Sequence, residues 1–153
     1  MAKINYVTGD ATAPQGDGIK IICHICNTWG KWGAGFVLAL SKKWNYPQDH
    51  YRARQTYPLG HVDFLSVEDN IFVANMIAQE GVRSNSVGLP PIRYSALTTT
   101  LIEVNKVAEQ MNASVHMPRI GSGLAGGDWK TIEKIIETIV RVPVTVYDLP
   151  AAK

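Results

Sequence analysis

The stretch that decides the fold is residues 19–44, IKIICHICNTWGKWGAGFVLALSKKW. Its first eight residues are almost continuously apolar, which is typical of a central strand covered on both faces by helices. The pattern breaks at Asn27 into a loop with three glycines, and apolar residues at helical spacing begin at Phe36. The stretch therefore predicts a buried strand over 19–26, a glycine loop and a helix over 36–44.

The same alternation of strand and helix patterns continues on both sides of this stretch. Apolar runs predict strands at residues 3–7, 62–67, 71–77, 114–120 and 142–149, and helical spacing predicts helices at residues 47–57, 94–111 and 128–140. The polar segment 68–70 between two of these strands indicates a hairpin. Strands that alternate with helices predict a three-layer α/β/α fold around a mixed, mostly parallel sheet.

Composition narrows the class of protein. With 153 residues, 46% of them apolar and 18% charged, the chain is expected to form one compact domain over 1–153. The formal charge is +2 and the 15 Lys and Arg are scattered, so duplex nucleic acid is not an expected partner. No segment approaches the ~20 apolar residues of a membrane span, and the first residues lack a secretory pattern. We expect no membrane association, a cytoplasmic location and a monomer.

The two cysteines, Cys23 and Cys26, have the C-x-x-C spacing of zinc and redox sites. Both lie in the predicted buried strand, where residues three apart point to opposite faces. Two thiols placed in this way cannot share one metal ion or form an unstrained disulfide. We therefore interpret them as small buried apolar side chains, and the sequence predicts no metal site.

Two glycine-rich loops follow predicted strands and precede predicted helices. The first spans residues 30–35, and the second is Ile120-Gly121-Ser122-Gly123-Leu124-Ala125-Gly126-Gly127. Open α/β sheets bind ligands beyond the carboxyl ends of their strands, and backbone N–H groups at such loops favour anions. Neither loop matches a P-loop or a dinucleotide-binding fingerprint. The two loops together predict a clamp for a diphosphate, although one glycine loop alone can simply be a tight turn.

Four segments, taken in order, resemble the macrodomain family across essentially the whole chain. They are T-G-D at residues 8–10, I-C-H-I-C-N-T-W-G-K-W-G-A-G-F at 22–36, M-P-R-I-G-S-G-L-A-G-G-D-W at 117–129 and V-T-V-Y-D-L at 144–149. The resemblance is greatest to the branch that contains the yeast-type ADP-ribose 1″-phosphate phosphatases and their relatives among the terminal ADP-ribose glutamate hydrolases. It implies that the ligand is ADP-ribose or its 1″-phosphate, bound without a cofactor.

The resemblance also assigns ligand-binding residues. It implies that Asp10, with the backbone of Ala11, binds the adenine amino group, and that Asn27 binds the distal ribose hydroxyls. It places Gly33, Ala34, Gly35 and Phe36 against the distal phosphate and ribose, Ile120, Gly121, Ser122, Gly123, Leu124, Ala125 and Gly126 against the diphosphate, and Tyr147 beside the adenine. Each of the three polar side chains also has an alternative structural role: Asp10 could form an Asx turn, Asn27 could form a turn, and Tyr147 could be part of the core.

His24 and Asp128 are the candidate catalytic residues. His24 lies near the ligand-facing end of the buried strand, and imidazole titrates near neutral pH as proton transfer requires. In the phosphatase-like branch that the chain resembles, a histidine at the matching position is implicated in catalysis. The alternative for His24 is a buried structural histidine, and the alternative for Asp128 is a helix N-cap.

The sequence also departs from the family pattern. Relatives that act on modified glutamate use a lysine and an aspartate at the places that Gln79 and Ala125 take here, and neither residue can replace an amine nucleophile or a carboxylate base. Two loop tryptophans, Trp29 and Trp32, could wall the pocket or pack the loop. The leading hypothesis is a hydrolase of ADP-ribose 1″-phosphate; the alternatives are a non-catalytic ADP-ribose reader and a hydrolase acting on a modified macromolecule.

Overall fold

The computed structural model describes residues 3–123 and 125–150 and contains six strands and four helices in those ranges. In chain order they are β1 (Ile4–Thr8), β2 (Lys20–Asn27), α1 (Phe36–Lys43), α2 (Tyr46–Arg52), β3 (Val62–Glu68), β4 (Ile71–Gln79), α3 (Tyr94–Met111), β5 (Ser114–Met117), α4 (Trp129–Ile139) and β6 (Val144–Asp148).

The six strands form one sheet in the order β1-β6-β5-β2-β4-β3. Every neighbouring pair is parallel except β3 and β4, which form the antiparallel hairpin expected around residues 68–70. The mixed, mostly parallel sheet is therefore confirmed. Because β1, β6, β5, β2 and β4 run in one direction, their carboxyl ends meet at a single edge of the sheet, which is where ligands bind in such folds.

The helices cover both faces of the sheet, as the three-layer prediction requires. On one face, Ile22 and Cys26 of β2 pack against α1 and α2 in one apolar cluster. On the other face, Ile21 and Cys23 pack against α3 and α4 in a second cluster. Alternate residues of β2 thus belong to different cores. Both cysteines are buried free thiols on opposite faces, which confirms the prediction from strand geometry.

Three predicted elements are longer than the observed ones by three or more residues. The strand predicted at 142–149 is observed as Val144–Asp148. The predicted helix 47–57 ends at Arg52, because the chain turns there and the Arg54 side chain donates to the backbone oxygen of Thr56 and to Asp63 of β3. The predicted strand 114–120 ends at Met117, because Pro118 has no N–H to give to the sheet. The residues beyond these ends belong to loops.

Within residues 3–123 and 125–150, we find no helix with the length and apolar character needed to cross a bilayer.

Candidate functional site

A cavity of about 380 Å³ lies at the carboxyl ends of β2, β4 and β5, between the two glycine loops. The predicted ligand-binding residues that line it are Asn27, Gly33, Ala34, Gly35, Phe36, Ile120, Gly121, Gly123 and Ala125, and His24 lines it as well. Asp10, Ala11, Ser122, Gly126, Tyr147 and Asp128 are not among the lining residues, and Leu124 lies outside the described residues. The structure therefore brings both loops and His24 to one place.

A larger groove of about 530 Å³ lies elsewhere, between α3 and α4. Its lining includes Thr98, Lys134 and Ile139, and it touches neither glycine loop. We assign the site to the smaller cavity because that cavity combines backbone donors with a buried histidine, whereas the groove is mostly apolar surface.

The first loop lines the cavity with residues whose backbone N–H groups are available to a ligand. Among the described residues, the N–H groups of Gly33, Ala34, Gly35, Phe36 and Val37 have no acceptor, and no side chain caps α1. Gly33 and Gly35 have φ of +82° and +93°, which L residues rarely adopt, so glycine is needed for this turn. The positive end of the α1 dipole adds to these donors. The loop is therefore suited to an anionic ligand.

The second loop contributes in a different way. Hydrogen bonds within the loop hold its conformation: Gly126 N–H donates to Gly123 O at 3.0 Å, and Gly127 N–H donates to Gly121 O at 2.7 Å. The N–H groups of Gly121, Ser122 and Gly123 have no acceptor among the described residues. Helix α4 begins later, at Trp129, and its first turn does not line the cavity. This loop therefore offers backbone donors without a helix end.

His24 is buried, with 2% of its surface exposed, and lines the cavity beside two aromatic side chains. Its Nε2 lies 2.5 Å from Oδ1 of Asn75, and its Nδ1 has no hydrogen-bond partner among the described residues. The rings of Trp32 and Phe36 pack against it at centroid distances of 5.3 and 6.0 Å. Burial lowers the pKa of His24 to about 4, and the hydrogen bond to Asn75 offsets only part of this shift. The ring is neutral at neutral pH.

Asn27 uses its amide group within the loop. Its Nδ2 donates to Lys31 O at 2.6 Å, and its Oδ1 accepts from Trp29 N–H at 2.9 Å and from Tyr51 O–H at 3.1 Å. These bonds shape the turn after β2, as the turn interpretation expected. The assignment of Asn27 to the ribose hydroxyls stays a prediction, because its amide already has these protein partners.

The expected adenine side lies farther along the same sheet edge. Oδ1 of Asp10 accepts from the N–H and the O–H of Thr12, both at 2.8 Å, which is an Asx turn. The Tyr147 hydroxyl accepts from Gln15 N–H at 2.8 Å and lies 2.7 Å from Nδ1 of His116. These contacts fasten the segment after β1 to β6. Binding of adenine by Asp10, the buried Ala11 and Tyr147 stays a prediction.

Asp128 is exposed and caps α4. Its Oδ2 accepts from the N–H of Thr131 at 3.3 Å and from its hydroxyl at 2.8 Å. A carboxylate at this position also interacts favourably with the helix dipole. The structure does not bring Asp128 to His24, and the catalytic expectation for Asp128 stays a prediction.

The structure gives Trp29, Trp32 and Arg119 definite positions. Trp32 is buried, lines the cavity and donates to Ser41 Oγ at 2.7 Å, so it both walls the pocket and packs the loop. Trp29 is 44% exposed and stacks with Arg83 outside the lining. Arg119 lines the cavity but binds Asp148 through two hydrogen bonds of 2.6 and 3.0 Å, which lowers the pKa of the Asp148 carboxyl.

Sequence reasoning missed one polar residue beside the cavity. Asn75 is 2% exposed in β4, and it is the partner of His24 across the sheet. The available signal was an asparagine within the otherwise apolar run Val73–Ala78, because a buried amide must find hydrogen-bond partners. The sequence alone does not identify those partners.

Comparisons with known proteins agree with the mixed α/β fold. No family model matches the chain. A protein of unknown function from Bacteroides thetaiotaomicron is 52% identical with a TM-score of 0.94, over 97% of this chain and 99% of that one. A macrodomain protein from Streptomyces coelicolor is 45% identical with a TM-score of 0.82, over 95% and 99% of the two chains.

Curated proteins with similar sequences include a yeast enzyme. The ADP-ribose 1″-phosphate phosphatase of Lodderomyces elongisporus is 25% identical over 156 residues, which cover 94% of this chain and 97% of that protein. The chromodomain-helicase-DNA-binding protein 1-like of Danio rerio is 34% identical over 145 residues. The chain spans only 14% of the length of that second protein.

Proposed function

The chain belongs to the macrodomain family, and from that premise we propose that it binds ADP-ribose and removes the phosphate from ADP-ribose 1″-phosphate. One observation carries the proposal: the same cavity is lined by a buried histidine and by residues of both glycine loops whose backbone N–H groups have no acceptor among the described residues. The similarity to a yeast ADP-ribose 1″-phosphate phosphatase along nearly the full length of both chains supports it.

The two glycine loops bind the diphosphate in this proposal. Hydrogen bonds to charged groups contribute roughly 1.5–3 kcal/mol each, so a few backbone donors account for specific binding. A Cβ added at Gly33, Gly35 or Gly123 would meet nothing within 4 Å, so these positions border open space. The diphosphate can therefore approach the backbone closely.

His24 assists the hydrolysis by moving a proton. A water oxygen attacks the 1″-phosphorus, the bond from phosphorus to the ribose oxygen breaks, and the ribose oxygen takes up a proton as inorganic phosphate leaves. Among the described residues that line the cavity, only His24 has an imidazole, which in its neutral form has one N–H donor and one nitrogen that can accept a proton. Proton transfer by one positioned side chain accounts for roughly 10²–10⁴-fold in rate.

A non-catalytic reader of ADP-ribose is the second candidate. The position of Asp128 favours it, because that carboxylate caps α4 outside the cavity and leaves His24 without an acidic partner there. Action on glutamate-linked ADP-ribose by a lysine is not proposed, because the two lining residues at the relevant places are Gln79 and Ala125.

Two measurements on one preparation separate the candidates. Calorimetric titration with ADP-ribose reports binding, and release of inorganic phosphate from ADP-ribose 1″-phosphate reports turnover. His24→Ala should bind within a few-fold of the wild type and lose on the order of 10²-fold or more in turnover. His116→Ala is the matched control, since His116 is also buried with a lowered pKa but does not line the cavity.

The outcomes lead to different conclusions. Binding without phosphate release in the wild type would support the reader. Absence of binding would reject the cavity as the site, and equal turnover in the wild type and His24→Ala would remove His24 from the reaction.

A further inference from the structure

We propose that Asn75 is a positioning residue that holds the ring proton of His24 on Nε2 and leaves Nδ1 as the proton acceptor of the site. The inference rests on the proposed role of His24. It identifies the ring nitrogen that takes part in the reaction and the direction in which the proton moves.

Asn75 and His24 are direct partners on neighbouring parallel strands. The register of β2 and β4 pairs the two residues, so their side chains lie on the same face of the sheet, the face covered by α1 and α2. Both residues are 2% exposed, and Oδ1 of Asn75 lies 2.5 Å from Nε2 of His24. The contact is therefore shielded from water.

The orientation of the Asn75 amide is fixed by its other contact. Its Nδ2 donates to the backbone oxygen of Pro47 in α2 at 3.1 Å. The reversed orientation would place the amide oxygen against the Pro47 oxygen, which also only accepts. Asn75 thus presents an acceptor to His24.

The location of the ring proton follows from this orientation. A neutral imidazole has one N–H and one acceptor nitrogen, and an amide oxygen can only accept. Nε2 therefore carries the proton and donates it to Asn75, while Nδ1 keeps a lone pair. Burial keeps the ring neutral at pH 7, because it lowers the pKa of His24 to about 4.

Nδ1 is the atom of His24 that remains for a ligand or a water. It is buried and has no partner among the described residues, and such an atom costs free energy until a donor reaches it. Cys26 Sγ lies 4.0 Å from Nε2, so this thiol is a neighbour of Nε2 and not a partner of Nδ1. In the hydrolysis, Nδ1 accepts the proton of the attacking water, so His24 acts first as a base.

The tautomer of His24 can be measured without any substrate. Nitrogen-15 NMR of the imidazole groups at pH 7 distinguishes a protonated from an unprotonated ring nitrogen, and His24→Ala identifies the His24 signals among those of the four histidines. We expect a protonated Nε2 and an unprotonated Nδ1 in the wild type. A wild-type ring protonated on Nδ1 would overturn the inference even if no Asn75 variant folded.

The variants test the role of Asn75 itself. Asn75→Leu removes the acceptor and should raise the Nδ1-protonated fraction several-fold, keep ADP-ribose binding within about 3-fold and reduce phosphate release by about 10-fold or more. Asn75→Asp keeps an oxygen opposite Nε2 and should keep the proton there, but its second oxygen faces the Pro47 oxygen, so this variant should be less stable than the wild type. Unchanged nitrogen signals in Asn75→Leu would refute the positioning role.

A matched control separates positioning from general loss of a buried amide. Asn105 is 8% exposed in α3, and its Oδ1 accepts from Arg141 N–H at 2.8 Å. Asn105→Leu should lower stability without changing the His24 nitrogen signals. If the wild type released no phosphate, the proposed function would fail while the NMR experiment would still decide the tautomer.

Discussion

The N–H of Gly127 donates to the carbonyl oxygen of Gly121 at 2.7 Å, and this bond closes the second glycine loop. The two residues are so close that a Cβ added at residue 127 would lie 2.5 Å from that oxygen. Gly121 itself has φ of +75°. The shape of the loop therefore depends on glycine at both positions, because no side chain fits between the two backbone segments.

Gly127→Ala should lower the free energy of unfolding by about 1–3 kcal/mol, the usual cost of forcing an extra carbon into a packed site. It should also weaken ADP-ribose binding, because the loop carries the backbone donors. Urea denaturation and calorimetry measure the two effects. Gly123→Ala is the control for stability alone, since its Cβ would meet nothing within 4 Å; equal stability of both variants would contradict the prediction.

Asp128 can be tested as a cap and as a catalytic group at once. Asp128→Ala should lose about 1 kcal/mol of stability, because the N–H of Thr131 loses its acceptor. Asp128→Asn keeps an N-cap oxygen and should retain both stability and phosphate release. A normal stability with a large loss of turnover in Asp128→Asn would instead support the catalytic assignment.

Tyr147→Phe should loosen the segment after β1. The hydroxyl connects Gln15 N–H to Nδ1 of His116, and its removal leaves two polar atoms without a partner. We expect a loss of about 1–3 kcal/mol in stability and faster amide exchange at Gln15. Tyr46→Phe is the control, because Tyr46 is 49% exposed. Unchanged exchange at Gln15 would show that the hydroxyl does not hold the segment.

Stability should fall as the pH is lowered from 6.5 to 4. Burial is the main cause that lowers the pKa of both His24 and His116 to about 4, whereas an unfolded histidine has a pKa near 6.5. In this window the unfolded chain binds protons that the folded protein does not, so acid favours unfolding. Each histidine contributes a slope of up to about 1.4 kcal/mol per pH unit.

Denaturation in urea at pH 7, 6, 5 and 4 measures this loss. The His24→Ala variant should show about half of the wild-type slope, because only His116 then remains buried and neutral. A stability that stays constant across the window would mean that both histidines titrate normally in the folded protein.

Much of the fold could be predicted because strands and helices follow local patterns of apolar residues in the sequence. The continuous apolar run before Asn27 predicted the central strand, and the period of that strand placed Cys23 and Cys26 on opposite faces. The end of β5 was missed by three residues, because the apolar run continues to Ile120 while Pro118 cannot donate to the sheet.

The sequence by itself determined the order of strands and helices, the two glycine loops and the presence of a histidine near a strand end, because backbone preference and apolar spacing are local properties. Only the tertiary structure decided what the polar groups touch. Asn75 is 51 residues from His24 in the chain, and Gln15 is 132 residues from Tyr147. Such pairs form because strand register and the packing of helices against the sheet bring distant residues within hydrogen-bond distance. A local sequence pattern contains no information about either.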